Sequence, residues 1–339
     1  MKLLPHIILI AVLGLAPSLQ AQVRETPATL GLVAGGNPQG YVQNSNDNGI
    51  LFATTSGGAG QLITYDKIRG DGLDKLIRFE ERVEALAEAR ALYAAEQYTE
   101  AAAAFGQVAR EYAIILNVPQ NFASEALFYQ AESLRRSGRY ALLAQVLNAP
   151  VAKTIETKLD QRYQKDLEFM KLWSLLGEEN YEGLKAALAA YEEPVTGDAK
   201  LLATPNFVKL PTTQLAQLAF LRAKVFDNEG DQSRALDDYY RAFTLAYGND
   251  ALLSKLAMGQ SMLIKSTDPK LQNAGSSVAA EMQSLAYMFS LRFGRNAMPE
   301  QFKKYAVRPA MAVPAAAPTA EEAPAEPAAE APPAEVPAE

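Results

Sequence analysis

The sequence contains no cysteine and a single histidine, His6. These absences exclude disulfides, thiol nucleophiles and, beyond the first few residues, a Ser-His-Asp triad. Zinc sites that need imidazole or thiolate ligands are excluded for the same reason. The chemistry that remains is that of carboxylates and amines, and we expect a non-catalytic protein with no metal and no cofactor.

The N-terminal residues predict export. Lys2 supplies a positive charge, residues 3–15 form an apolar run, and the small residue Ala21 precedes Gln22. This order is typical of a secretory signal peptide, here residues 1–21. The run is shorter than the roughly 20 apolar residues that span a bilayer. We therefore expect a periplasmic protein without an integral membrane span, associated at most peripherally with the outer membrane or an envelope complex.

The C-terminal residues 309–339 have a biased composition. They comprise thirteen alanines, eight prolines, six glutamates and four other residues, none of them aromatic or basic. Such a segment cannot bury enough apolar surface to fold, so we predict a disordered tail. Residues 22–308 carry 31 basic and 33 acidic side chains. This balance, without a basic patch, argues against nucleic acid as a partner.

Residues 22–72 form a glycine-rich extension with ten of the 21 glycines. Within it, residues 49–55 and 61–65 are predicted strands that flank a turn at 56–60, which gives a β-hairpin at about 49–65. Residues 30–48 are expected to be irregular. An isolated hairpin is marginal in water, so we expect it to pack on the rest of the protein.

Residues 73–308 are predicted to be almost entirely helical. Apolar residues recur at helical spacing from Leu73 onward, and short polar turns interrupt the pattern at regular intervals. Each turn is followed by a marker residue, and these are Tyr98, Tyr140, Tyr181 and Gln232. Their intervals of 42, 41 and 51 residues indicate repeated helix pairs that stack into an α-solenoid.

Two of the helix pairs share a pattern of small and large residues. In one, the small residues are Ala89 and Ala101 and the large residue is Phe105. In the other, the matching residues are Ala223, Ala235, Tyr239 and Ala242. With this pattern the two pairs resemble the tetratricopeptide repeat (TPR) family, here of an exported bacterial type. The resemblance covers about residues 73–265 and implies an all-α, right-handed solenoid with a concave binding surface.

The two middle units depart from the pattern. Leu143 occupies a small-residue position in one, and Leu172 and Leu184 occupy both such positions in the other. A different α-solenoid family therefore stays open as an alternative.

In TPR-like folds the first helix of each pair lines the concave groove. The resemblance then implies a groove for a peptide or helix of an envelope protein, whose identity the sequence does not give. The implied groove residues are Arg90, Tyr93, Phe128, Glu132, Arg135, Phe169, Trp173, Phe220, Lys224 and Asp227. Aromatic anchors and basic partners for carboxylates would suit such a ligand.

Three other interpretations stay open. The aromatic residues of this set can instead pack between repeats, with the charges simply solvated. Paired carboxylates such as Glu178-Glu179 and Asp237-Asp238 leave a carboxylate-based glycosidase or lyase as an alternative. A structural component associated with the cell wall is the third.

Overall fold

The computed structural model describes residues 24–72, 74–79, 84–196, 210–272 and 276–308. The predicted signal peptide and C-terminal tail lie outside these residues. The strands are β1 Thr26–Leu30, β2 Gln39–Asn46, β3 Gly49–Ala53, β4 Gln61–Thr64 and β5 Ile77–Phe79. The helices are α1 Glu84–Ala94, α2 Tyr98–Glu111, α3 Phe122–Arg136, α4 Tyr140–Asn148, α5 Ala152–Lys158, α6 Gln161–Gly177, α7 Tyr181–Thr196, α8 Thr212–Asn228, α9 Gln232–Ala246, α10 Ala251–Ser266 and α11 Ser277–Phe293.

Four helix pairs share one kind of turn. The second residue after the end of the first helix of each pair has a positive φ, and these residues are Glu96, Gly138, Glu179 and Gly230. In every case its N–H and the next N–H donate to carbonyls three and five residues back, as in a Schellman motif. The following helix then begins at Tyr98, Tyr140, Tyr181 or Gln232, the four marker residues.

The small residues of the repeat pattern lie where helices pack closely. Ala89, Ala101, Ala223, Ala235 and Ala242 have no exposed surface. A methyl side chain lets two helix backbones approach, and the large buried rings of neighbouring positions fill the remaining space. Within a pair, α1 contacts α2 and α8 contacts α9; between pairs, α2 contacts α3, α4 contacts α6 and α7 contacts α8.

The N-terminal strands form one five-stranded antiparallel sheet in the order β4-β3-β2-β1-β5. One face of this sheet supplies fully buried apolar residues, among them Leu30, Val42 and Ile50. These residues belong to the same hydrophobic core as the helices that follow.

Polar contacts fix the sheet against the connection between α2 and α3. The Ser45 hydroxyl donates to the Ile114 carbonyl, and the Asn117 amide donates to the Ser45 carbonyl at 3.0 Å. The Tyr65 hydroxyl donates to the Asn117 carbonyl at 2.8 Å. Sheet and helices therefore fold as parts of one unit, as the marginal stability of an isolated hairpin requires.

The prediction of an all-α fold is confirmed only in that the chain is mostly helical, because a five-stranded antiparallel sheet accompanies the helices. Two details of the sequence prediction are wrong. The helical pattern was expected to begin at Leu73, whereas residues 77–79 form β5, which pairs with β1. Residues 30–48 were expected to be irregular, but β2 occupies 39–46 and extends the hairpin of β3 and β4. The short alternation of Ile77 and Phe79 fits a strand as well as a helix, and only the pairing decides.

A second compact unit begins at Lys265. In it, α11 is followed by short 3-10 helices at Arg295–Ala297 and Glu300–Tyr305, and its core includes Met282, Phe289 and Phe302. Lys265 forms an ion pair with Glu281 at the start of α11. None of the helices in the described residues is long and apolar enough to cross a membrane.

Candidate functional site

An inner cavity of about 190 Å³ lies among the first helices of the four pairs. It is lined by side chains from α1, α3, α6 and α8 together with the N-terminus of α10. The lining residues are Tyr93, Phe128, Tyr129, Glu132, Arg135, Arg136, Tyr163, Asp166, Phe169, Met170, Thr213, Gln217 and Asp250. Among the residues that the structure describes, no second helix of a pair contributes to this lining.

Aromatic rings form one wall of the inner cavity. The Tyr129 ring lies 5.2 Å from Tyr93, 5.4 Å from Phe128 and 5.7 Å from Tyr163 between ring centroids. These contacts are edge-to-face, an arrangement that adds to the stabilisation from burial. The Tyr129 and Tyr163 hydroxyls approach to 3.5 Å. The wall therefore combines ring surfaces with two hydroxyl groups at one point.

Charged groups from α3 and from the N-terminus of α10 also line the cavity. Arg135 binds both carboxylate oxygens of Glu132 at 2.7 Å and reaches Asp250 at 3.1 Å. Arg136 donates to Glu132 at 2.7 Å and to the Tyr98 hydroxyl at 3.1 Å. Asp250 also accepts from the N–H of Leu253 at 3.0 Å, which caps α10. This network connects Arg135 of α3 to Asp250, which lies 115 residues later in the chain at the N-terminus of α10.

The network sets the protonation states. Burial by itself raises the pKa of Glu132, but the guanidinium groups of Arg135 and Arg136 outweigh it and hold that pKa below its usual value. Burial likewise lowers the pKa of Arg135, and the charges of Glu132 and Asp250 outweigh it and raise that pKa. Glu132 and Arg135 are therefore both ionised at neutral pH.

Five of the ten residues predicted for the groove line the inner cavity: Tyr93, Phe128, Glu132, Arg135 and Phe169. Phe128 and Phe169 are each only 4% exposed, so they also contribute to the core.

The other five predicted residues lie elsewhere. Trp173 and Phe220 are buried in the core, where their rings stack at 5.5 Å. Arg90 is exposed on α1 and forms an ion pair with Glu125 at 2.7 Å. Two predicted residues of α8 sit near the Tyr239 side chain, since Lys224 lies over its ring and Asp227 accepts from its hydroxyl at 3.2 Å. Burial lowers the pKa of Lys224.

The remaining lining residues were missed by the sequence analysis. On α6, the missed residues Tyr163 and Asp166 come earlier in the helix than the residues predicted for the groove. On α8, Thr213 and Gln217 likewise come earlier than the predicted residues. Gln217 is held in place because its side-chain oxygen accepts from the Trp173 indole at 2.7 Å. The only local signal was the helical spacing that places Tyr163, Asp166 and Met170 on one face of α6.

No group of three or more acidic, histidine or cysteine side chains within the described ranges is arranged to hold a metal ion. Comparison with family models, curated proteins and solved structures found no match. The resemblance to TPR proteins therefore stays a prediction from the residues.

Proposed function

We propose that the protein is a non-catalytic scaffold of the cell envelope that binds an extended or helical segment of a partner protein along the first helices of its repeats. The observation that carries this proposal is the composite lining of the inner cavity, to which α1, α3, α6 and α8 all contribute. A surface built from several repeats suits a chain that runs across them. In this proposal the helix pairs stack as a right-handed, TPR-like solenoid.

The size of the cavity favours a segment of protein over a free small molecule. Sites that enclose small-molecule ligands usually measure roughly 300–1,000 Å³. The inner cavity measures about 190 Å³, which suits one anchoring side chain of a longer ligand. The rest of that ligand would contact the surface around the opening.

The alternative of a carboxylate-based glycosidase has less support. That chemistry needs one carboxylic acid that stays protonated at working pH because its environment raises its pKa. Glu132, the lining carboxylate bound by both arginines, has its pKa shifted in the opposite direction.

The location in the envelope rests on residues 1–21 alone. N-terminal sequencing of the protein purified from its source cells should begin at Gln22 if the signal is cleaved. A sequence that starts at Met1 would contradict cleavage at this site.

The binding proposal is tested by crosslinking at matched positions. A photoreactive amino acid replaces Thr213, which is exposed at the cavity on α8, or Thr244, which is also exposed but lies on the second helix α9. We expect a discrete adduct in intact cells for the Thr213 variant and none for the Thr244 variant. Equal adducts at both positions, or an adduct at Thr244 alone, would contradict binding along the first helices.

A further inference from the structure

Of the three basic residues predicted to bind a partner's carboxylates, Arg90 and Arg135 are already paired with carboxylates within the protein. The third, Lys224, does not line the inner cavity. Arg136, which lines the cavity but was not predicted, pairs with Glu132. The charges that remain available at the inner cavity therefore have to be sought among its acids.

Asp166 is the acidic residue of the cavity lining that neither Arg135 nor Arg136 binds. The cavity lining contains three carboxylates and two guanidinium groups, and the arginines bind Glu132 and Asp250. Asp166 is exposed at the cavity and accepts a hydrogen bond from the neutral amide of Gln214 at 3.3 Å. Among the described residues no ion pair involves Asp166. The lining thus carries one uncompensated negative charge beside its aromatic wall.

From this combination we infer that the inner cavity binds a lysine or arginine side chain of the partner segment. The faces of aromatic rings attract cations, and three tyrosines and two phenylalanines line this cavity. Two of these rings already attract cations within the protein, since Arg136 lies over Tyr93 at 5.5 Å and Arg162 lies over Tyr163 at 4.6 Å. The Tyr129 and Tyr163 hydroxyls supply oxygen acceptors 3.5 Å apart, and Asp166 supplies the counter-charge. An acidic side chain would meet the negative charge of Asp166 and no unengaged cation of the lining. This inference rests on the proposed function, because it specifies the ligand of the same cavity.

The test is selection of a displayed library of random 12-residue peptides on the immobilised full-length protein. We expect the enriched peptides to share a lysine or arginine, and its replacement by norleucine to weaken binding of the synthetic peptide at least tenfold. Enriched peptides without a shared basic residue, or no enrichment at all, would overturn the inference.

Two matched variants of α6 test whether Asp166 contributes to binding of the basic side chain. Asp166→Asn removes the charge at the cavity, whereas Glu168→Gln removes another exposed charge of the same helix that does not line the cavity. We expect Asp166→Asn to weaken binding of the selected basic peptide about fivefold or more, and Glu168→Gln to leave it unchanged. Equal affinities of the two variants would contradict a role of Asp166.

The outcomes separate this inference from the proposed function. An adduct confined to the Thr213 crosslinking variant, together with enriched peptides that lack a basic residue, would leave the scaffold proposal standing and refute cation recognition. Adducts distributed equally between the Thr213 and Thr244 variants would contradict the scaffold proposal itself, and with it this inference.

Discussion

The buried ion pair between α8 and α9 offers a sharp test of how the repeats are held together. Arg222 binds both oxygens of Asp238 at 2.6 Å, and both side chains are less than a tenth exposed. Arg241 contacts the same carboxylate at 3.3 Å, but its own side chain is 45% exposed. One carboxylate therefore has a buried and an exposed partner, which makes the two arginines a matched pair.

We expect Arg222→Met to lower the free energy of unfolding by about 3 kcal/mol. Removing one partner of a buried ion pair costs roughly 3–5 kcal/mol, because the other charge stays buried. The low end applies here, since Arg241 still contacts Asp238. Arg241→Ala should cost about 1 kcal/mol or less, as exposed ion pairs generally do. The double variant Arg222→Met/Asp238→Leu should recover most of the loss, because it removes both buried charges.

Urea denaturation followed by tryptophan fluorescence measures these differences. Trp173 is the only tryptophan of the chain, is fully buried and stacks on Phe220 of α8, so its emission reports on the packing of this helix. Equal losses for Arg222→Met and Arg241→Ala would refute the reasoning from burial. A double variant as unstable as Arg222→Met would show that the loss comes from packing of the Arg222 side chain and not from its charge.

Three further predictions concern stability and use the same denaturation assay. Gly138→Ala should lower the free energy of unfolding by about 1 kcal/mol, and Glu179→Gly should raise it by up to about 1 kcal/mol, because both positions have a positive φ that glycine adopts without strain. If both variants changed stability in the same direction, this reasoning would be contradicted. The buried Ser133 hydroxyl has no hydrogen-bond partner among the described residues, so Ser133→Ala should be neutral or stabilising by about 1 kcal/mol, and a clear loss would reveal a bond that the structure does not contain. The pKa of Glu132 is lower in the folded state than its ordinary 4.5, so the stability that ionised Glu132 contributes is present above pH 4.5 and is lost on acidification below it. Glu132→Gln should therefore lose less stability than the wild type between neutral pH and pH 3. An identical pH dependence of the free energy of unfolding in the two proteins would contradict the low pKa of Glu132.

The parts of the fold that local sequence determines were predicted closely. The four second helices begin at Tyr98, Tyr140, Tyr181 and Gln232 because a polar turn and its left-handed residue are properties of a few consecutive residues. The sheet was only half predicted. Its β1 strand contains Pro27, and β2 is rich in glutamine and asparagine and has a register shift between Val42 and Asn44. The two strands are defined by their pairing with each other, and further by the pairing of β1 with β5 and of β2 with β3, which no local pattern encodes.

Only part of the lining of the inner cavity was predicted. The reason is the direction in which the cavity crosses the helices. The position of a lining residue can be counted back from the positive-φ turn residue that follows its helix. The lining residues lie three positions before that turn residue in α1 and two to ten before it in α3. In α6 they lie nine to sixteen positions before it, and in α8 thirteen to seventeen. The cavity therefore runs obliquely, towards the N-terminal ends of successive first helices. The sequence prediction aligned the helix pairs by their turns and so assumed that lining residues lie at a constant distance from each turn. This assumption gives Phe128 and Glu132 correctly. On α6 and α8, however, it selects Trp173 and Phe220, which lie in the core, instead of Tyr163 and Gln217. The offset varies because it depends on how neighbouring helix pairs pack, which an alignment of the turns does not contain. In the proposed binding mode, a ligand that follows the cavity would cross α6 and α8 nearer their beginnings than α3.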